Sequence, residues 1–559
     1  MTTVSFVLAA AVLLTPETSK HFEKFTDPYS GAVSYILKTR LGNNQQSFYF
    51  TNPSMTEDGR FLLFSVSDGH TPQARKLGMV DFKKDTCTLL NTTGWMPFIA
   101  MENDILYSVN GRGFFKRNLA KDPMEEELIC EIPEPLKREG ERIFRYCTHL
   151  HLTRDRKGAF LDLRIDDRFL QGMVNLEKGT WEKWGETDFH INHGQLNPQR
   201  DDLALCAYEC VPWTDTKGVE HKGLVLENGI YPRLQLIAKG RRKMIPAKVF
   251  NSASHEKWSA DGRGFYWCGG GVWYHDLFTK EQTCLCPMSA AHATCSADLK
   301  LVTYDSGVGV AYWRGQPWQV GFYNRETGRG LYIFSRRDAY CPQEDESGMH
   351  PDPHPQFCTH DRYIVCTVNH GDGRMDLAVT PVTPLIAVTT PKKDDPYADL
   401  VGMDSPYTVA ARLCWWRATH GGARNATIWR AIDDFGRRFG DLNLVGQMKF
   451  RQTDHPKGDV PLPPRKETAA KIISMQHEDG LWGEEGREGL ELSALLLYRL
   501  VQLQQTQKGR EAEKSAEVVK KGWRAISAKF NPKGEFEAIS DEALAALIRA
   551  GLLMDRPYL

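Results

Sequence analysis

The sequence predicts a mainly β chain, a seven-bladed β-propeller followed by a smaller α-helical C-terminal region. Two observations carry this: a turn-and-strand phrase that recurs seven times between Gln45 and Leu385, and a switch of hydrophobic periodicity near Pro391. The length, 559 residues, is ample for two such units.

Each phrase is a polar turn running into an alternating apolar strand: Thr56–Phe64, Met101–Tyr107, Arg154–Asp162, Pro198–Cys206, Ser259–Trp267, Ser296–Tyr304 and Thr359–Cys366. Several are followed by a strand with a small turn, as at Gly78–Asp85, Gly172–Gly179, Val272–Lys280 and Val320–Gly328. Seven four-stranded units repeated radially bury both faces of every sheet and leave few open edges. The longer spacings, between the fourth and fifth turns and between the sixth and seventh, predict loops over one face of the propeller. The propeller domain is expected over residues 25–390, and a helical domain over 398–559. Helices are expected at Thr427–Phe439, Glu467–Gln476, Gly489–Gln505, Glu513–Phe530 and Ser540–Leu553.

Residues 1–24 form a separate N-terminal segment whose run Val4–Leu14 has the apolar character of a secretory signal and is too short to span a bilayer. A secreted or periplasmic protein without membrane insertion is the expectation. Lysine plus arginine number 70 against 71 for aspartate plus glutamate, which excludes a global field for nucleic acid. An anionic substrate must therefore be caught locally. The thirteen cysteines lack zinc-ribbon spacing, and their odd number argues against a full disulfide framework.

The chemistry concentrates on histidines that stand before or inside the first strand of successive units: His193, His255, His292, and the pair His350 and His354. The first strands of propeller blades line a central channel, so these positions converge on one axis. In His350–Phe357 the prolines fix φ and exclude helix, which holds His350, Asp352 and His354 on a stiff lead-in to the next strand. Imidazole with carboxylate suits Mn²⁺ or Zn²⁺ better than Mg²⁺ or Ca²⁺. His149, His151, His190, His275, His360 and His370 read as structural.

The segments Asn192–Pro198, Ser254–Gly262, Ala291–Asp298 and Asp352–Phe357 resemble the corresponding blades of oligogalacturonate lyases, and Gln46–Ser54 resembles the propeller ulvan lyases. The first resemblance implies a divalent metal on His292 and His354, with Asp352 standing where the family has a third histidine and His350 just before it. It also implies His255 as the catalytic histidine; the family's nearby arginine falls around His221, where no arginine stands. The second implies a His, Tyr and Arg set, for which His193, His221 and Tyr274 are the candidates. The tail segments Gln476–Trp482, Glu491–Leu500 and Lys521–Ile526 resemble part of the α/α toroid of unsaturated uronyl hydrolases, and the tail is expected to serve as a packing module or a substrate-side wall, not as a second enzyme.

These readings imply a lyase that cleaves a uronic-acid polysaccharide or oligosaccharide by β-elimination, leaving a 4,5-unsaturated product. The alternatives are a propeller that binds a glycan or a protein without chemistry, and a glycoside hydrolase, which needs two carboxylates across the scissile bond.

Overall fold

The computed structural model describes residues 13–555 except 68–75, 92–98, 137–139, 210–211, 222–231, 248–252, 307–317, 336–351, 370–373, 420–425, 443, 445–461, 463–464 and 531–538. The N-terminal run expected to be signal-like therefore lies almost wholly outside the described residues, as does His350.

Among the described residues, seven antiparallel blades account for the strands, apart from one small hairpin. The inner strands are Asn44–Gln46, Ile99–Glu102, His151–Leu152, Ile191–Asn197, Ser254–Trp258, Ala293–Cys295 and Gln356–Cys358. All seven expected turns join an inner strand to the second strand of its blade. The second strands are Phe61–Ser67, Ile105–Val109, Gly158–Ile165, Arg200–Tyr208, Gly264–Cys268, Leu301–Ser306 and Tyr363–Asn369. Turn chemistry explains the recurrence: Thr56 Oγ1 donates to Asp58 at 2.7 Å, as Ser259 Oγ does to Asp261 and Ser296 Oγ to Asp298. Gly59 and Gly262 take the left-handed φ, +79° and +62°, that such a turn requires.

The ring is closed by strands from both ends of the chain. Blade seven continues from Met375–Pro381 to Val33–Leu37 and then Phe22–Thr26, so the outermost strand begins inside the segment assigned above to residues 1–24. A parallel bridge, Asn44 to Met375, ties blade one to blade seven. Between neighbouring blades the apolar faces interlock: Leu62, Phe64 and Val66 pack with Val365, Leu377 and Val379, and Leu205 and Leu236 with Trp258 and Trp267. Each such fully buried side chain contributes roughly 1.5–3 kcal/mol relative to exposure.

All five expected helices are present, at Ala426–Phe439, Ala469–Met475, Arg487–Gln504, Gly509–Ser527 and Asp541–Met554, with two more at Val382–Thr389 and Pro406–Thr419. The last helix, Asp541–Met554, is apolar on nearly every side and sits among three others, as a helix without a polar stripe must. The helices share one core with blades five and six, where Tyr304, Tyr323 and Tyr332 meet Tyr407, Ile428 and Phe435. Arg329 of blade six, 3% exposed, bridges Asp395 at 3.3 Å and Asp555 at 2.9 Å, locking the helical layer to the sheet. No helix among the described residues is long and apolar enough to cross a membrane.

Candidate functional site

The axial end of the inner strands carries a closed ring of six aromatic side chains. Tyr49 stacks on His149 at 4.7 Å between centroids, His149 meets His193 at 5.6 Å, and His193 meets His255 at 6.1 Å. His255 meets His292 at 3.9 Å, His292 meets His354 at 4.4 Å, and His354 returns to Tyr49 at 4.6 Å. Six of the seven blades contribute one member each.

Local backbone distortion aims these rings. His193, His255 and His354 hold φ of +50°, +51° and +45°, a conformation that costs a non-glycine residue roughly 1–3 kcal/mol. At His193 and His255 the inner strand bulges, with the ladder register slipping between Asn192 and Gln195 and between Ser254 and Lys257. Aspartates at the same register of two second strands hold the backbone at the ring in place. Asp305 accepts from the backbone N–H of His292 at 2.8 Å and of His354 at 3.1 Å. Asp162 accepts from the N–H of Thr148 at 2.6 Å and of Gly194 at 3.2 Å. Each carboxylate thereby joins its own blade to the next.

Tyr49 reaches the axis by a larger excursion. From Gln46, opposite Ser65, to Met55, opposite Leu62, the inner strand of blade one takes nine steps while its partner takes three. The surplus, Ser47–Pro53, crosses the channel. Tyr49 lies within 6 Å of four histidine rings, and the Phe50 ring packs 5.5 Å from His292 and 6.2 Å from His255. Burial, then the charge of Glu256, raises the Tyr49 phenol well above its ordinary range, so it carries its proton.

His292, Asp352 and His354 form a candidate metal centre, each offering a ligand atom within 4.8 Å of the others. Asp352 Oδ2 lies 3.9 Å from His292 Nε2 and 3.8 Å from His354 Nε2. His292 Nδ1 sits 3.1 Å from both oxygens of Asp305, which places the proton on Nδ1 and turns the lone pair of Nε2 towards Asp352. The charge balance also favours a cation. Asp305, Asp352, Glu209 and Glu256 gather around the ring, and Arg233 answers only the two glutamates, at 2.9 Å and 3.0 Å. Two imidazoles and a carboxylate fit Mn²⁺ or Zn²⁺, so the residues present suit the group that the sequence implied.

His255 faces the opposite flank of His292. Its Nδ1 lies 2.5 Å from the carbonyl oxygen of Ala291, and burial, then the charge of His292, pushes its pKa well below the ordinary histidine value. It is therefore a neutral imidazole with its lone pair on Nε2. His193 lies 3.3 Å from Glu256 and 3.9 Å from Glu209, with Arg233 Nη2 3.4 Å away. Burial alone would raise the Glu256 carboxyl, but Arg233 and His193 hold it down at about 2.

Of the residues singled out in the sequence, the fold brings His193, His255, His292, Asp352 and His354 together. It does not bring His221 or Tyr274. His221 sits on the hairpin Trp213–Thr214 and Glu220–His221, stacked on Trp213 at 4.4 Å and bonded to Asp215 at 3.0 Å. That hairpin packs over blade three through Trp213 and Phe169, at the outer part of the face. Tyr274 lies in the third strand of blade five, and its hydroxyl bonds Ser259 in the turn at the far end of the inner strand. Four residues at the ring escaped the sequence reading: Tyr49, His149, Arg233 and Glu256. His149 precedes its inner strand as His292 does, the one positional signal that could have found it. Glu256 adjoins His255 in sequence, whereas Arg233 comes from the lead-in to a third strand and carries no repeat signal.

No family model and no curated protein matches the chain. Among solved structures it is similar to an oligogalacturonate lyase in complex with manganese, at 18% identity over 64% of this chain and 96% of that one, TM-score 0.49. It is also similar to the oligogalacturonate lyase of Vibrio parahaemolyticus, at 15% identity over 65% and 96%, TM-score 0.49. A third similarity is to the Cps50 (Swd1) β-propeller domain of Myceliophteria thermophila, at 11% identity over 60% and 98%, TM-score 0.38.

Proposed function

We propose that the chain is a carbon–oxygen lyase that cleaves a uronic-acid polysaccharide or oligosaccharide by β-elimination, with a divalent cation held by His292, Asp352 and His354. The observation that carries this reading is a neutral histidine of fixed tautomer, His255, in ring contact with a ligand of the cation site. A cation bound there supplies the positive charge that neutralises the uronate carboxylate and makes the C5 proton removable.

The remaining steps fall to the chain's own groups. His255 Nε2 takes the C5 proton, the electrons of the C5–H bond form the C4=C5 bond, and the C4–O4 bond breaks. The oxygen leaves as an alcohol once it receives a proton. Tyr49, protonated and central to the ring, is placed to give it. His193 and Arg233 position this apparatus through Glu256, which neighbours His255 in the bulge. Neither glutamate at the ring is the proton-holding acid that a glycosidase needs, since both are bonded to Arg233 and shifted towards their charged forms. Secretion or a periplasmic location belongs to the proposal, to be tested by cell fractionation.

The test is a panel of uronate polymers, including polygalacturonate, ulvan and a heparan-type chain, incubated with the metal-loaded protein. Ultraviolet absorbance of the new C4=C5 bond should rise with at least one. New reducing ends without that absorbance would indicate hydrolysis, and binding without either would indicate a glycan-binding propeller.

A further inference from the structure

We infer that the opposite mouth of the axial channel is a second binding site, built to hold a small monoanionic polyhydroxy carboxylate on Lys257. The inference is independent of the proposed reaction.

The excursion of blade one separates the histidine ring from a cavity at the other end of the inner strands. Tyr49 faces the histidine ring, whereas Thr51 and Asn52 line a cavity of about 420 Å³ at the end where the inner strands run into their turns. The size falls within the roughly 300–1,000 Å³ of small-molecule sites. Its wall mixes apolar surface, from Met55, Met101 and Leu196, with the exposed amide of Asn103, while the amides of Gln195 and Asn197 are held by the backbone of Glu256 and Gly262. Amide and hydroxyl groups of this kind suit the hydroxyls of a sugar acid.

The charge is set by one residue. Arg154 and Arg156 also line the cavity, but they pair with Asp201 and Glu102. Lys257 makes no ion pair among the described residues, and its ammonium donates to the carbonyl oxygen of Phe50 at 2.8 Å. Two of its three protons remain for a ligand. Cys295, Cys358 and Asp361 lie around it on the blade side, and Glu57 stands at the exposed rim. His151, also in the wall, adds no charge: burial, then the nearby lysine, lowers its pKa to about 4. One cation with Asp361 beside it and a second carboxylate, Glu57, at the rim favour a monoanion over a dianion.

Phe50 lies between the histidine ring and the cavity. Its carbonyl takes the Lys257 proton, and its ring packs against His255 and His292.

Calorimetric titration of the full chain tests the assignment, with His292→Ala as background to silence the histidine ring. The probes are D-glucuronate, neutral D-glucose and inorganic phosphate. Glucuronate should bind saturably, more tightly than phosphate, and glucose should not bind measurably. Lys257→Met should weaken glucuronate at least tenfold. Met101→Trp, which adds bulk to the cavity wall and leaves Lys257 in place, should do the same and guards against a folding defect in the first variant. Absence of saturable glucuronate binding, tighter binding of phosphate, or affinity unchanged in both folded variants would each overturn it.

Discussion

The carbonyl oxygen of Ala291 lies 2.5 Å from Nδ1 of His255, one blade away. A carbonyl can only accept, so this contact fixes the imidazole proton on Nδ1 and presents the Nε2 lone pair at the ring. His255→Ala should lower turnover by roughly 10²-fold or more, the usual scale for losing general base help. His255→Gln, which keeps a donor for the Ala291 carbonyl, should be as inactive. Oligosaccharide affinity, measured separately by calorimetry, should persist in both. Near wild-type cleavage by the two folded variants would move the base elsewhere.

Tyr49→Phe removes a hydroxyl and nothing else from the centre of the ring. If the phenol protonates O4, kcat should fall by roughly 10²-fold for natural glycosidic linkages. A substrate whose leaving group needs no proton, such as a nitrophenyl uronide linked at O4, should be cleaved at close to the wild-type rate. Equal losses on both substrates would exclude the acid role.

The cation should also be a stabiliser. A ligand that binds only the folded chain contributes about 2.7 kcal/mol at a hundredfold excess over Kd. Dialysis against a chelator should therefore lower Tm, and Mn²⁺ or Zn²⁺ should restore it. In Asp352→Asn the metal response should shrink, and the metal-free protein should melt higher than metal-free wild type. The reason is that Asp352 and Asp305, both almost fully buried, repel one another, and the Asp305 carboxyl is pushed up by burial and by that neighbour. A metal-free Tm unchanged by the substitution would contradict the repulsion.

Arg233 is 8% exposed between Glu209 and Glu256. Breaking a buried pair from one side costs about 3–5 kcal/mol, because a charge is left without its partner. Arg233→Met should lose stability on that scale in urea melts. The double variant Arg233→Met with Glu256→Gln should regain part of it, and a strictly additive loss would show that the contact is not what matters.

The legible and illegible parts of this molecule differ in whether the fold repeats them. The seven turns were readable because each blade solves the same problem, reversing an inner strand, and four of them do so with the same Ser or Thr to Asp hydrogen bond. His193, His255, His292 and His354 were readable because they share a place in that repeat. Tyr49 was not, since it stands on a nine-step excursion of the inner strand of blade one, outside the repeated phrase. His221 and Tyr274 were proposed from similarity to a residue set, without a repeat position to support them. The fold sets one on a peripheral hairpin and the other in a third strand. The outer strands of blade seven, Val33–Leu37 and Phe22–Thr26, follow from ring closure, a long-range constraint that no local pattern encodes.

The layer between helices and propeller carries a pH signature of its own. Asp441 is 1% exposed, accepts the indole proton of Trp415 at 2.8 Å and the N–H of Leu444 at 3.2 Å, and burial raises its pKa to about 6. A carboxyl that is harder to ionise folded than unfolded favours the native state while protonated. That contribution is complete below about pH 4, where the unfolded group is also protonated, and is lost as pH rises through about 6. A shift of two units corresponds to about 3 kcal/mol. Asp441→Asn keeps an acceptor for Trp415 and cannot ionise. It should therefore match wild type in urea melts near pH 4 and exceed it by up to about 3 kcal/mol at pH 7.5, with the difference developing between the two. A constant offset across that range would mean that the carboxyl does not titrate there, and a loss at pH 7.5 would mean that its charge is a net stabiliser of the interface.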